Sequence, residues 1–252
     1  MKRHLSDLTD GETIILVPGL DGTALLFYRQ IPLLAERFNV VAFPLPDDST
    51  ATMESLVADL AALIEEVAPH GAVLLGESFG GALSMSTALA RPDLVTGLVI
   101  VNSFPWLHDR LQLNVGRLLM KVVPWAAMPF IRRGTESRIH SAHTNAEDLR
   151  EFHERMLHIG RDGYRRRLTI LRSYDIRRRL QDISVPTLLL AGDEDRLLPS
   201  AKWARYMHQR IPNARLTILP GYGHVCLTTH DLDLRQHVLP WWESRKSDRS
   251  EA

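Results

Sequence analysis

Cysteine is almost absent. The 252-residue chain has one, Cys226, which excludes an intramolecular disulfide framework and a cysteine-based zinc ribbon. Net charge is missing too, since 30 Lys and Arg residues balance 30 Asp and Glu. That balance removes the general electrostatic case for a nucleic-acid partner or an anionic membrane. No apolar run approaches the length needed to span a bilayer. The opening residues, Met1-Lys2-Arg3-His4-Leu5-Ser6-Asp7, lack the apolar stretch of a secretory signal. The expectation is therefore a soluble, cytoplasmic protein. There is no internal repeat and no low-complexity segment. What the chain does have is 45% hydrophobic residues, enough for one large core, with or without an insertion.

Short apolar runs alternate with helical patterns. Glu12 to Val17 reads as a buried strand closed by Pro18-Gly19. Ala24 to Arg37 carries apolar residues at helical spacing, and Pro32 within it predicts a kink or a later start. Val40 to Phe43, Ala72 to Leu75 and Gly97 to Val101 read as further strands, with an amphipathic helix from Met53 to Ala68. From Phe104 to about Ser184 the pattern is helical only, broken by Pro and Gly and rich in Arg, Trp and Met. Strands return at Val185 to Ala191 and Arg215 to Leu219. Helices follow near Ala201 to Arg210 and Asp231 to Glu243, and the polar tail from Ser244 to Ala252 is expected to fray. Strands apolar on both faces predict an α/β protein, with a mostly parallel sheet flanked by helices. The expected core is residues 1–104 and 185–252. Residues 105–184 form a helical cap inserted after the strand ending near Val101.

The stretch that organises the chain is Gly76-Glu77-Ser78-Phe79-Gly80. A strand precedes it and a helix of small residues follows, which is the setting of a nucleophile elbow. The turn is tight, so its flanks must be small. The helix behind it aims N–H groups and positive dipole at the Ser78 hydroxyl. A serine alcohol needs a base, and the base needs an acid to orient it. Gly192-Asp193-Glu194-Asp195 and Gly221-Tyr222-Gly223-His224 each follow a strand, at the sheet edge where open α/β sheets place their sites. The chain order is Ser, Asp, His.

On these residues the chain resembles the α/β-hydrolase fold superfamily of serine hydrolases. The matching parts are Val17-Pro18-Gly19-Leu20-Asp21-Gly22, the elbow, the Gly192 to Pro199 loop and Gly223-His224, spanning about two thirds of the chain. The resemblance implies Ser78 as nucleophile and Asp195 as the acid, with Asp193 and Glu194 as surface neighbours. It implies His224 as the base, ahead of His230. The oxyanion hole would be the backbone N–H groups of Leu20 and Phe79. That family usually has His-Gly where this chain has Pro18-Gly19, so no histidine braces the oxyanion loop. More narrowly, the loop and elbow look like the hydrolase half of plant plastid esterase/lipase/thioesterase proteins that make phytyl and acylglycerol esters. Their acyltransferase half has no room here, and the His-x4-Asp of His143 to Asp148 reads as chance.

The function implied is hydrolysis of a carboxylic ester or thioester with a hydrophobic acyl group, needing no metal or organic cofactor. Acyl transfer to an alcohol and a non-catalytic ligand-binding module remain alternatives. Dehalogenases and epoxide hydrolases are disfavoured, because their nucleophile is an aspartate. Trp106, Leu107, Leu111, Leu118, Leu119, Met120, Trp125, Met128, Phe130 and Met156 are candidates for an acyl pocket. Arg165-Arg166-Arg167 and Arg177-Arg178-Arg179 read as a solvated basic face, or else as a dock for an anionic acyl carrier. His140 and His143 lie one helical turn apart, but no carboxylate pattern completes a metal site. Cys226 reads as a packed small residue.

Overall fold

The computed structural model describes residues 11–107 and 123–250. Six strands form one sheet: β1 (Glu12–Val17), β2 (Phe38–Ala42), β3 (Ala72–Glu77), β4 (Val95–Val101), β5 (Thr187–Gly192) and β6 (Ala214–Leu219). Their order is β2-β1-β3-β4-β5-β6, and every pairing is parallel. The order reverses beside β1, and this switch point sets the site. Val17 pairs with Gly76, so the loop after β1 and the turn after β3 leave the sheet side by side.

The sheet is covered on both faces. Ile15, Leu74 and Ile100 pack on one side with helices α2 (Met53–Val67) and α3 (Phe79–Ala90). Ile14, Leu16, Val73 and Leu75 point the other way, against α1 (Gln30–Leu34) and the C-terminal helix. Period-2 alternation with both faces buried is why these strands read as unbroken apolar runs. The helical pattern over 24–37 resolves into one 3-10 turn, Leu25–Phe27, and then α1, which begins later than Ala24 as Pro32 predicts and ends at Leu34. Pro32 sits in the first turn of α1, where its missing N–H has no intrahelical partner to lose.

Between β4 and β5 the described residues form α4 (Met128–Ile139), α5 (Ala146–Met156) and α6 (Arg161–Ile170). Short 3-10 turns flank them, at Trp125–Ala127 and Arg177–Asp182. The pairing there is one isolated bridge, Trp106 with Asp175. After β5 come α7 (Ser200–His208) and, after β6, α8 (Arg235–Ser250). This last helix corrects the expected 231–243 span at both ends. Asp233 turns the chain first, its carboxylate accepting the Arg235 N–H at 2.9 Å. The helix then runs on to Ser250, through most of the tail expected to fray, and residues 251–252 lie outside the described residues. No helix among the described residues is long and apolar enough to cross a membrane.

Candidate active site

The elbow is built by close approach of main chains. Ser78 has φ 52° and ψ −115°, a conformation side chains rarely adopt. Its N–H donates to the Val101 carbonyl at 2.9 Å, and the Ser103 hydroxyl donates to its carbonyl at 2.7 Å. A Cβ on Gly80 would lie 2.0 Å from the Val17 oxygen, and one on Gly76 would lie 2.4 Å from the Gly80 oxygen. No other residue fits either position, so the G-x-S-x-G spacing follows from sterics.

The structure brings Ser78, His224 and Asp195 together. Ser78 Oγ lies 3.1 Å from His224 Nε2, and His224 Nδ1 lies 2.7 Å from Asp195 Oδ2. Asp195 also accepts from the N–H groups of Leu197 and Leu198 and from the Ser200 hydroxyl. Burial raises the Asp195 pKa, but the His224 charge and these hydrogen bonds outweigh it and hold the carboxyl below its usual range. Burial likewise presses the imidazolium down, while the Asp195 carboxylate and the nearby Glu77 raise it, and the net direction is up. With Asp195 ionised, Nδ1 carries the proton and donates, leaving Nε2 to accept from the Ser78 hydroxyl.

A cavity of about 510 Å³ opens over Ser78 and His224. Leu20, Phe104, Phe152, Met156, Leu171 and Trp203 give it a mainly apolar lining drawn from both the sheet loops and the inserted helices. Glu77 lies in the same wall, with Oε1 3.7 Å from His224 Nε2. Burial pushes its carboxyl up to about 8, helped by the charges of Asp21 and Asp195 and opposed by His224 and the Gly19 N–H.

A family model described as the alpha/beta hydrolase family matches residues 14–235. The chain belongs to this family. Among its relatives, "Putative carbamate hydrolase RutD" of Serratia proteamaculans (strain 568) is 27% identical over 250 residues, covering 91% of this chain and 90% of the relative. "Uncharacterized hydrolase YugF" of Bacillus subtilis (strain 168) is 24% identical, covering 90% and 88%. Among solved structures, the fold is similar to a thermophilic esterase from Thermogutta terrifontis, with TM-score 0.83, 20% identity and coverage of 96% and 98%. MenH from S. aureus gives TM-score 0.83 at 16% identity, covering 98% and 100%. At these identities the structures bear on the fold alone.

In this alpha/beta hydrolase the other expected residues fall in several places. His230 lies away from Ser78, its Nδ1 3.0 Å from Asp148. Asp148 also takes the Arg29 guanidinium at 2.8 Å, while His143 pairs with Asp231, so His143 and Asp148 share no site. Asp193 is more than a surface neighbour, because its carboxylate accepts the Gly221 N–H at 2.7 Å and ties the two loops together. Leu107 and Met156 line the cavity, whereas Trp106 packs on Trp203 and Tyr206, Trp125 packs on Tyr164, and Phe130 is 73% exposed. Leu111, Leu118, Leu119 and Met120 lie outside the described residues. His140 is buried with its ring edge-on to Phe152. Cys226 is buried, which pushes its thiol up.

The solvated basic face needs correction at Arg167, which is 3% exposed and turned into the protein. Its donors meet backbone carbonyls of the core, so it is not available to an anionic carrier. Asn102 stands in no motif, yet it ties the end of β4 to both loops. Its Nδ2 donates to the carbonyls of Gly223 and His224 at 3.0 and 2.8 Å, and its Oδ1 accepts the Gly192 N–H at 2.8 Å. The one sequence cue was its place directly after β4, next to Val101, whose carbonyl accepts the Ser78 N–H.

Proposed function

We propose that the chain is a serine hydrolase acting on a carboxylic ester or thioester with a hydrophobic acyl group. The observation that carries this reading is the 3.1 Å contact of Ser78 Oγ with His224 Nε2 on the wall of an apolar cavity. Ser78 attacks the carbonyl carbon while His224 takes its proton, and Asp195 holds the tautomer and stabilises the imidazolium. The N–H groups of Leu20 and Phe79 receive the oxyanion, a contribution of about 3 kcal/mol per donor. His224 then protonates the leaving alkoxide or thiolate, and water, activated by the same base, releases the acid and restores Ser78. Within the inserted segment 105–184, the described helices α4 to α6 act as the cap over this reaction and supply part of the acyl pocket.

The relatives named as carbamate hydrolases favour a second reading, in which the scissile carbonyl is a carbamate. The triad chemistry is the same, and the leaving group differs. Intact mass after treatment with a serine-reactive fluorophosphonate tests the shared part. A single adduct on wild type that is absent from Ser78→Ala supports an activated Ser78, and no adduct on wild type overturns both readings. Relative kcat/KM for p-nitrophenyl acyl esters and a p-nitrophenyl carbamate then separates the two. The rate should fall as pH drops through the His224 pKa, which lies above the ordinary 6.5, because only neutral imidazole can take the proton.

A further inference from the structure

The loop after β1 carries the Leu20 N–H, and three consecutive peptide planes in it are pinned. The Gly19 N–H is directed at the Glu77 carboxyl. The Gly19 carbonyl accepts the Gly22 N–H at 3.1 Å. The Leu20 carbonyl accepts from Arg167 Nε at 3.1 Å. A trans peptide is planar, and its N–H points away from its C=O. Holding the Gly19 and Leu20 carbonyls therefore fixes the planes on both sides of the Leu20 Cα, and with them the direction of the Leu20 N–H.

Two of these holds come from the core and one from the inserted segment. Arg167 projects from α6, and its remaining nitrogens are committed to the same region. Nη1 donates to the Pro46 carbonyl at 3.2 Å and Nη2 to the Asp21 carbonyl at 3.4 Å. The guanidinium lies against Gly22, where φ is 72° and an added Cβ would come within 2.6 Å of Nη2. Gly22 is thus required twice, for its backbone conformation and for the space the guanidinium fills. A planar fork of donors suits several carbonyls fixed in one array, and an ammonium would not.

We propose that Arg167 is a positioning residue of the oxyanion hole, a side chain of the inserted helices that locks the Leu20-Asp21 turn facing Ser78. This rests on the serine-hydrolase reading above. It takes the role left open by the absence of a bracing histidine before Gly19. It also makes the hole complete only while α6 is docked, so contacts made by the inserted helices with a substrate reach the chemical step.

The test uses the full chain, p-nitrophenyl butyrate turnover and fluorophosphonate labelling, on wild type, Arg167→Met, Arg167→Lys and Arg166→Met. Arg166 lies on the same helix, and its Nε binds the Ala51 carbonyl, so its loss loosens α6 without touching the oxyanion loop. Arg167→Met should lose roughly 10- to 100-fold in kcat with KM within about threefold of wild type. Arg166→Met should keep kcat within about threefold while its Tm falls comparably. Arg167→Lys, which keeps the charge and loses the fork, should lie between wild type and Arg167→Met. Equal kcat losses in Arg166→Met and Arg167→Met, or a loss carried by KM alone, would overturn the proposal in favour of general loosening. Should Arg167→Met not fold, Arg167→Lys decides: reduced kcat at unchanged KM supports the proposal, and wild-type kcat overturns it. A wild type inert to both probes overturns the hydrolase reading and this inference with it. An active wild type whose Arg167 variants are unaffected overturns this inference alone.

Discussion

The core around the elbow and the inserted helices are held by different forces. At the elbow, Ser78 is fixed by the Val101 carbonyl, by glycines pressed against the Val17 and Gly80 carbonyls, and by strands paired on both sides. The inserted segment packs Ile170, Leu171, Tyr174 and Leu180 into the core of the sheet, and polar side chains add single ties: Asp148 to Arg29, Arg167 to the loop after β1, and the Asp47 carboxylate to the Gly163 N–H. Main-chain packing leaves almost no alternative geometry, so Ser78 is set once the sheet forms. Side-chain ties can be weakened one at a time. The difference sets a rigid Ser78 turn against helices whose attachment can be tuned.

The largest effect should come from Ser78→Ala or His224→Ala. Each is expected to lower kcat by about 10⁴-fold or more while Tm stays near wild type, read by ester turnover beside a thermal melt. Residual activity near wild type would break the assignment of chemistry to the core. Asn102→Ala comes next. It strands the buried Gly192 N–H and the Gly223 and His224 carbonyls, at a cost of about 2 to 4 kcal/mol. Urea unfolding should show this, along with a fall in kcat as the loops carrying Asp195 and His224 lose their shared tie.

Asp148→Ala should act on the other region. Its carboxylate is fully buried, but Arg29 keeps a quarter of its side chain exposed, so a loss of about 1 to 3 kcal/mol is expected. Limited proteolysis should open first between residues 123 and 183, with the sheet protected. Cleavage starting in the sheet would show that the two regions do not come apart as described.

A further effect, of a different kind, is the pH response of Glu77→Gln. The folded state holds the Glu77 proton up to about 8, well above its ordinary value of 4.5. Between these limits the folded protein binds more protons than the unfolded chain, so this group lowers stability as pH rises from 4.5 towards 8. A glutamine has no proton to lose and keeps an oxygen for the Gly19 N–H. The Tm of Glu77→Gln relative to wild type should therefore climb across that window and level off above it, as followed by melts at several pH values.

Ser78, His224 and Asp195 stood out in the chain because strand, glycine and turn signals are local. A glycine two residues either side of Ser78 says that backbone will pass close by, and an acid just after a strand says where that acid will emerge. Arg167 gave the opposite signal. Within Arg165-Arg166-Arg167 it is indistinguishable from a solvated neighbour, and its burial depends on carbonyls 147 and 146 residues earlier. Asn102 is silent for the same reason, since its partners lie 90 and more residues downstream. The end of α8 differs again, because a polar sequence by itself does not separate an exposed helical turn from a frayed tail.

The sequence alone therefore determined the parallel sheet, its element order and the position of the elbow. Those rest on side-chain periodicity and on steric limits that act within a few residues. Only the tertiary structure decided which acids and cations are buried, what holds the loop after β1, and which inserted side chains line the cavity at Ser78. Each of those is a contact between distant segments, and burial of a charge is settled by the partners that packing brings to it.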